Sequence, residues 1–262
     1  MTSTGIFPFG QPVREVVQTD RTPKRVFILG VYASAVHARW VGIDNRTKVQ
    51  ALAVASEPYI FWRGENAEDI IQQINLPPEL GKLIPADKQF NGPSGIALDE
   101  RILKPLGLTR ADVWLCDLVP HSCVNQAQKK AIEREYSEIA EQHGLPMPSV
   151  PDVPSELADE KRRSAICGEI EESGANTLIL LGDKPIQWFL KYFDPRWKRL
   201  SDFTPYGQLH SVQIAGKPLE VLPLAHPRQI AKLGKSSRKW YECHENWVNK
   251  DAGIIFTEQD VG

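Results

Sequence analysis

The chain has 262 residues, 42% of them hydrophobic and 24% charged, and its 33 acidic and 31 basic side chains give a net charge of −2. This composition is typical of a globular protein with a substantial core. The near-neutral charge excludes a coat protein that is basic throughout, although it allows a local basic patch. No apolar run approaches the ~20 residues of a membrane span and no secretory signal pattern is present, so we expect a cytoplasmic protein without membrane contact.

The first predicted element is a short buried strand, Arg25–Gly30, whose apolar run ends at a glycine. Residues 40–43 and 49–55 flank a polar tetrapeptide, which predicts an antiparallel hairpin inserted over about residues 39–56. The segment 76–95 is rich in Pro and Gly, and we expect a surface loop there.

The next predicted elements are a helix over 96–106, a second buried strand over 111–119 and a charged helix over 126–142. The charged helix belongs to an expected insertion over about 126–155, which ends in a stiff, proline-rich connector. Ser155 is a suitable N-cap for the helix that follows.

A third buried strand, Thr177–Gly182, precedes a helix over 185–192, and residues 209–214 and 219–224 form a hairpin whose second arm joins the main sheet. Alternating strands and helices predict an α/β fold: one three-layer domain over 1–262, with a central parallel four-stranded sheet flanked by helices. In such sheets ligands gather at the carboxyl ends of the strands, which directs attention to the residues that follow each strand.

Five motifs lie at strand ends or helix starts: the glycine-started loop at Gly30, the Phe-x-Gly-x-x-Gly segment from Phe90 with Leu98-Asp99, the polar strand end at Asp117, Leu181-Gly182, and His226-Pro227. In order and spacing they resemble the motifs of the uracil-DNA glycosylase superfamily, especially its bacterial and archaeal branches. The resemblance covers about residues 25–240.

The resemblance implies a monofunctional DNA glycosylase, acting in DNA repair or in defence against modified foreign DNA. Such an enzyme flips a base out of the helix and hydrolyses its N-glycosidic bond without a metal or an organic cofactor. Its partner is DNA, and we expect a monomer. The iron–sulfur branch has two cysteine ligands near the N-terminus, whereas the first cysteine here is Cys116, so no cluster is expected.

The resemblance also assigns roles to single residues. Gly30 and Tyr32 belong to the base pocket, Phe90 stacks on the flipped base, and His226 stabilises charge on the leaving base. For Phe90 the alternative is a hydrophobic anchor of its loop. For His226 the alternative is a cap of the strand end through a local hydrogen bond.

The segment after His226 is expected to contact DNA, because family members use it to hold phosphates and to push an aliphatic wedge into the helix. A solvated basic helix start is the alternative. The candidate phosphate contacts are Arg228, Lys232, Lys235 and Arg238, and the candidate wedges are Ile230 and Leu233.

Two departures from the family pattern limit the resemblance. Where many members carry an Asp or Asn that positions the hydrolytic water, this chain has Val31-Tyr32-Ala33. The water must then be positioned by Asn91, His37 or main-chain groups, or hydrolysis is slow; we take Asn91 as the catalytic candidate.

The second departure is Asp117, which stands where uracil-reading members have an asparagine. An ionised carboxylate only accepts hydrogen bonds, so it suits the amino group of a cytosine-type base and repels O4 of uracil. A protonated Asp117 could still read uracil, and a structural cap of the strand end is a further alternative. We therefore expect the excised base to be a cytosine, plain or modified, and not plain uracil.

Two other functions compete with the glycosylase. A catalytically inactive nucleic-acid-binding module could retain the fold after losing the water-activating group. A dinucleotide-dependent oxidoreductase has little support, because the first strand is not followed by G-x-G-x-x-G.

Overall fold

The computed structural model describes residues 3–233 and 237–256, which divide into two compact units. Unit 1 contains the described residues up to Val16, together with Tyr32–Pro93 and Pro120–Ser155. Unit 2 contains Val17–Val31, Ser94–Val119 and the described residues from Glu156 onwards. None of the helices in these described ranges is both long and apolar enough to cross a membrane.

Ten strands and eight α-helices make up the regular structure of the described ranges. The strands are β1 (Gly5–Ile6), β2 (Pro12–Val13), β3 (Val26–Tyr32), β4 (Ala35–Val41), β5 (Thr47–Ser56), β6 (Lys82–Pro85), β7 (Val113–Val119), β8 (Thr177–Leu181), β9 (His210–Ile214) and β10 (Lys217–Leu224). The helices are α1 (Ala67–Gln72), α2 (Pro93–Leu98), α3 (Gln126–Glu135), α4 (Ser137–His143), α5 (Glu160–Ser173), α6 (Asp183–Trp188), α7 (Pro227–Ile230) and α8 (Ser237–Lys250). A π-helical segment, Asp99–Leu103, follows α2.

Unit 2 is built on a five-stranded sheet in the order β7-β3-β8-β10-β9. Strands β3 and β10 both run parallel to β8, and β9 is antiparallel to β10. The predicted α/β class, with a mostly parallel sheet flanked by helices, is confirmed. The predicted count of four strands is wrong, because the first arm of the last hairpin pairs along β10 and adds a fifth, antiparallel edge strand.

Continuous apolar runs form the central strands of this sheet. In β7 and β8 every residue is buried, and the first four residues of β3 are fully buried. Parallel strands covered on both faces have this composition. The first strand does not stop at Gly30 as expected but continues to Tyr32, because the β-branched Val31 and the aromatic Tyr32 also favour extended backbone.

Unit 1 contains a three-stranded antiparallel sheet in the order β5-β4-β6. Its β4–β5 hairpin starts at Ala35, earlier than the predicted residue 39. Strand β6 lies inside the segment expected to be a loop. The chain can run close to β4 there because Gly81, at φ 95°, has no side chain; a Cβ would lie 2.0 Å from the carbonyl oxygen of Val41.

The core of unit 1 centres on three aromatic rings that meet edge to face. Phe9 lies 5.4 Å from Trp40 and 5.0 Å from Tyr136, measured between ring centroids. The hydroxyl of Tyr136 accepts a hydrogen bond from Phe9 N (2.9 Å) and donates one to Pro146 O (3.0 Å). Tyr136 also separates α3 from α4, so the single charged helix predicted over 126–142 is two helices.

Helix α5 begins later than predicted. Its N-cap is Asp159, whose carboxylate accepts from Arg162 N at 2.8 Å, and not Ser155. The helix ends at Gly174 in the left-handed conformation, a common C-cap.

We expect Tyr136→Phe to lower the free energy of unfolding by about 2 kcal/mol, because it leaves the buried N–H of Phe9 without an acceptor. Urea unfolding followed by circular dichroism measures this difference. The control is Tyr192→Phe, which removes the hydroxyl of a side chain that is half exposed. Equal stability of the two variants would contradict the role of the Tyr136 hydroxyl.

Candidate active site

The carboxyl ends of β3 and β7 meet in unit 2 at Asp117. The carboxylate of Asp117 accepts a hydrogen bond from the backbone N–H of Val31, directly after Gly30. The Asp117 side chain is buried, with 4% of the residue exposed, and Gly30 is buried as well. The contact brings together two of the segments that the sequence singles out.

Burial determines the charge of Asp117. Desolvation raises the pKa of its carboxyl from 3.8 to about 7, against the opposing effects of the Arg162 cation and the Val31 N–H. Both the protonated and the ionised forms are therefore populated at neutral pH. The ionised form only accepts hydrogen bonds, whereas the protonated form also donates one.

Arg162, on α5, fixes the end of β7. Its guanidinium donates to the carbonyl oxygens of Asp117 (2.6 Å) and Leu118 (3.0 Å) and forms an ion pair with Glu169 (3.3 Å). These bonds hold the backbone from which the Asp117 side chain projects. Sequence reasoning missed Arg162, because nothing in its charged helix distinguishes it from its neighbours.

His226 is the N-cap of α7, at the carboxyl end of β10. The Nδ1 of its ring accepts from the backbone N–H of Arg228 at 3.2 Å. The backbone N–H of His226 donates to Oε1 of the Gln229 side chain, also at 3.2 Å. Desolvation and the Arg228 cation lower the pKa of His226 to about 4, so the ring is neutral at physiological pH. Because Nδ1 accepts, the single proton of the neutral ring belongs on Nε2, which is thus a hydrogen-bond donor.

The absence of a side chain at Gly182 leaves room for the side chain of His226. Gly182 follows β8 with φ 85°, its N–H donates to Leu224 O at 2.7 Å, and a Cβ there would lie 3.2 Å from the Cβ of His226. The backbone conformation therefore favours glycine, and the neighbouring histidine leaves little room for a Cβ. This contact explains the Leu181-Gly182 motif in physical terms.

A buried chain of hydrogen bonds supports the backbone just before His226. Ala225 N–H donates to the hydroxyl of Tyr206 (2.9 Å), which lies 2.8 Å from Nδ1 of His244. The Nε2 of His244 lies 2.7 Å from the carbonyl oxygen of Arg101 and must donate to it, so the hydroxyl of Tyr206 donates to Nδ1. Sequence reasoning missed these residues, which are far apart along the chain.

Asp117, near the carboxyl end of β7, and His226, just after β10, belong to strands that are three steps apart in the sheet of unit 2, which is about 14 Å at roughly 4.8 Å per step. One side offers a carboxyl that can accept and, when protonated, donate; the other offers a neutral N–H donor.

In unit 1, Asn91 has a structural position. Its Oδ1 accepts from His37 N (2.8 Å) and its Nδ2 donates to His37 O (2.9 Å), so both ends of the amide bond one backbone residue of β4. Next to it, Gly92 has φ 77°, and a Cβ there would lie 1.9 Å from the carbonyl carbon of Arg63. The expected role of Asn91 in positioning water is therefore corrected: this amide holds its loop against β4.

The two aromatic residues expected in the base pocket also lie in unit 1. Phe90 is half-buried, and its ring centroid lies 6.4 Å from that of His37. Tyr32 is 45% exposed. Each therefore keeps ring surface that a planar ligand could cover.

The segment expected to contact DNA presents exposed cations, but only one of its two candidate wedge residues is exposed to solvent. Ile230 is fully buried, because α7 packs this side chain into the core of unit 2, so the expectation that it enters DNA is wrong; Leu233 is partly exposed. Lys235 lies outside the described residues. The other cations are exposed: Arg228, Lys232 with its Nζ 3.8 Å from the Tyr241 ring, and Arg238 paired with Glu242.

We expect Asp117→Asn to stabilise the protein at alkaline pH. The pKa of Asp117 is about 7 in the folded state and 3.8 for an exposed carboxyl, as in the unfolded chain, so its contribution to stability is complete below pH 3.8 and is lost as pH rises from there through 7. The wild type should lose about 4 kcal/mol relative to the variant between pH 3.5 and pH 8, at about 1.4 kcal/mol per unit of pKa.

Urea unfolding at several pH values measures this difference. The control for removal of a carboxylate is Asp69→Asn, at an exposed position of α1. A difference between Asp117→Asn and wild type that stays constant with pH would contradict the burial of an ionisable carboxyl at position 117.

No model of a protein family matches this sequence, and no curated protein matches it either. The family resemblance therefore rests on the five motifs between Gly30 and Pro227. The chemistry of the groups at the sheet edge is the basis from which a function can be inferred.

Proposed function

We propose that this protein is a DNA glycosylase related to the uracil-DNA glycosylase superfamily. It hydrolyses the N-glycosidic bond of a flipped base in DNA, in repair or in defence against modified foreign DNA. We further propose that the protein is a cytoplasmic monomer and that it uses neither a metal nor an organic cofactor. The observation that carries it is the pair of groups at one sheet edge: a buried carboxyl at Asp117 and a neutral Nε2–H donor at His226.

In this proposal the base lies between the two groups. Asp117 bonds the base edge, and the Nε2–H of His226 donates to the oxygen at position 2 of a pyrimidine. When the bond between C1′ and N1 breaks, its electron pair moves onto the base, and a donor at this oxygen stabilises the developing anion. Water supplies the new bond to C1′ and releases a proton to solvent.

Hydrolysis also requires a group that positions the attacking water. The stretch after Gly30 supplies no carboxylate or amide side chain, and the amide of Asn91 is engaged with His37. His37 or main-chain groups then orient the water, and we expect hydrolysis to be slow for this class of enzyme.

The titration of Asp117 favours a cytosine-type base. At position 4 of the base, the ionised form accepts from the amino group of cytosine but meets O4 of uracil as a second acceptor. The protonated form can donate to O4 and therefore suits uracil as well. The substrate best supported is therefore an amino-bearing pyrimidine, plain or modified.

The alternative is a nucleic-acid-binding module without catalytic activity. The missing side chain for water activation favours it, since such a module needs the base contacts but not the hydrolysis. The two functions differ in whether an abasic site forms.

We expect release of a base from at least one member of a set of oligonucleotides that contain uracil, hypoxanthine, or methylated, hydroxymethylated or glucosylated cytosine. Alkali cleavage of the resulting abasic site measures release. His226→Ala should lower the single-turnover rate by about 10²–10³-fold, as expected for loss of one donor to a developing anion. His226→Gln keeps an N–H donor and should retain more activity. Tight binding without cleavage across the whole set would favour the inactive module.

We also expect the base preference to depend on pH. On uracil-containing DNA the rate should fall by up to tenfold per pH unit above about 7, as the Asp117 carboxyl ionises. Asp117→Asn should improve uracil release and remove this pH dependence, because an amide both donates and accepts at every pH. His226 titrates near pH 4, outside this range. An unchanged base preference in Asp117→Asn would exclude direct base reading by this residue.

A further inference from the structure

The turn between β4 and β5 forms a rigid tip, here called the hairpin tip, over residues 42–47. Gly42 N–H donates to Arg46 O and Asn45 N–H donates to Gly42 O, each at 2.9 Å. The carboxylate of Asp44 accepts from Arg46 N at 3.0 Å. Three hydrogen bonds within so few residues hold the backbone of the tip in one conformation.

This rigid turn exposes an apolar side chain. Ile43 is 73% exposed, more than any other large hydrophobic residue in the described ranges. Exposure of a single apolar residue is ordinary, but here the backbone that carries it is fixed, so the side chain projects from a defined point.

Cations lie close to Ile43 along the chain and on the neighbouring strand. Arg46 and Lys48 are exposed on the same hairpin, and Lys82 of β6 is paired in register with Val41, next to the tip. The one acidic residue of the tip is Asp44, and its ion pair with Arg46 is long, at 3.8 Å between an exposed nitrogen and oxygen. The tip and its neighbouring strand therefore present an excess of positive charge.

Arg39 extends this charge along the sheet. Register pairs Arg39 with Ile84 and Val41 with Lys82, which places Arg39 and Lys82 on the same face. The Nε–H of Arg39 is buried and has no hydrogen-bond acceptor within the described part of the chain. Arg39 as a whole is partly exposed, so its charge adds to that of Lys82 on this face.

We propose that the hairpin tip, together with Arg39, Lys48 and Lys82, is a DNA contact of unit 1, in which the cations bond phosphates and Ile43 packs between or against bases. A projecting aliphatic side chain among cations is the arrangement by which proteins hold and kink DNA. The choice of DNA among polyanions rests on the proposed function. The segment that starts at Arg228 is a separate element of unit 2.

Binding to an unmodified DNA duplex, followed by fluorescence anisotropy at several salt concentrations, tests this contact without requiring base release. Arg46→Ala/Lys82→Ala should weaken binding at least tenfold and reduce the slope of log K against log salt by nearly 2, since each phosphate contact contributes about 0.9. Ile43→Ser should weaken binding severalfold with an unchanged slope, because it removes no charge.

Two control variants match these changes elsewhere. Lys161→Ala/Lys191→Ala removes two exposed cations from unit 2, and Ile254→Ser replaces a side chain that is 55% exposed. Both should bind like wild type. Thermal melting checks that each variant is folded, which its exposed position leads us to expect.

Wild-type affinity and salt slope in both hairpin variants would overturn the contact, as would a wild type that binds no duplex. Loss of affinity in the hairpin variants, when the wild type releases no base from any oligonucleotide, would support the contact and contradict the glycosylase. Base release by a wild type whose hairpin variants bind normally would do the reverse.

Discussion

The parallel pairing of β3, β8 and β10 brings three distant stretches of the chain to one edge of the sheet of unit 2. Backbone hydrogen bonds fix the register, and the apolar side chains of these strands are buried on both faces, so the strands cannot slide without exposing them. The fixed register of the strands also fixes the positions of the residues that follow them. Gly182 and His226 occupy their positions because the core of these strands fixes where β8 and β10 end.

Desolvation acts on both titratable groups of this edge, with opposite effects on their pKa values and the same effect on their charge. It raises the pKa of Asp117 and lowers that of His226, and each shift favours the uncharged form. The surroundings of Asp117 and His226 therefore favour neutral groups, as an organic solvent does. Such surroundings strengthen every hydrogen bond to a ligand and penalise a ligand that brings a charge of its own.

The central strands of the sheet could be predicted because short, continuous apolar runs bounded by turn residues are typical of strands buried on both faces. The last hairpin could be predicted because a Gly-containing turn separates two such runs. Strand β6 could not, since it lies in a Pro- and Gly-rich segment and depends on β4 as its partner. The structural roles of Asn91 and Ile230 could not be predicted from the sequence either, for a related reason. Whether an amide faces a ligand or a backbone, and whether an isoleucine faces solvent or a core, is decided by residues distant in the sequence.

The capping bond of His226 joins two properties that are usually separate. The same lone pair on Nδ1 fixes the proton on Nε2 and closes the first turn of α7, the helix from which Arg228 projects. A proton placed on that nitrogen would release the turn as well as change the ring. Acid would therefore charge the ring and loosen the first turn of α7 in a single event, and a substitution at position 226 changes local backbone order along with the hydrogen bonds of the side chain.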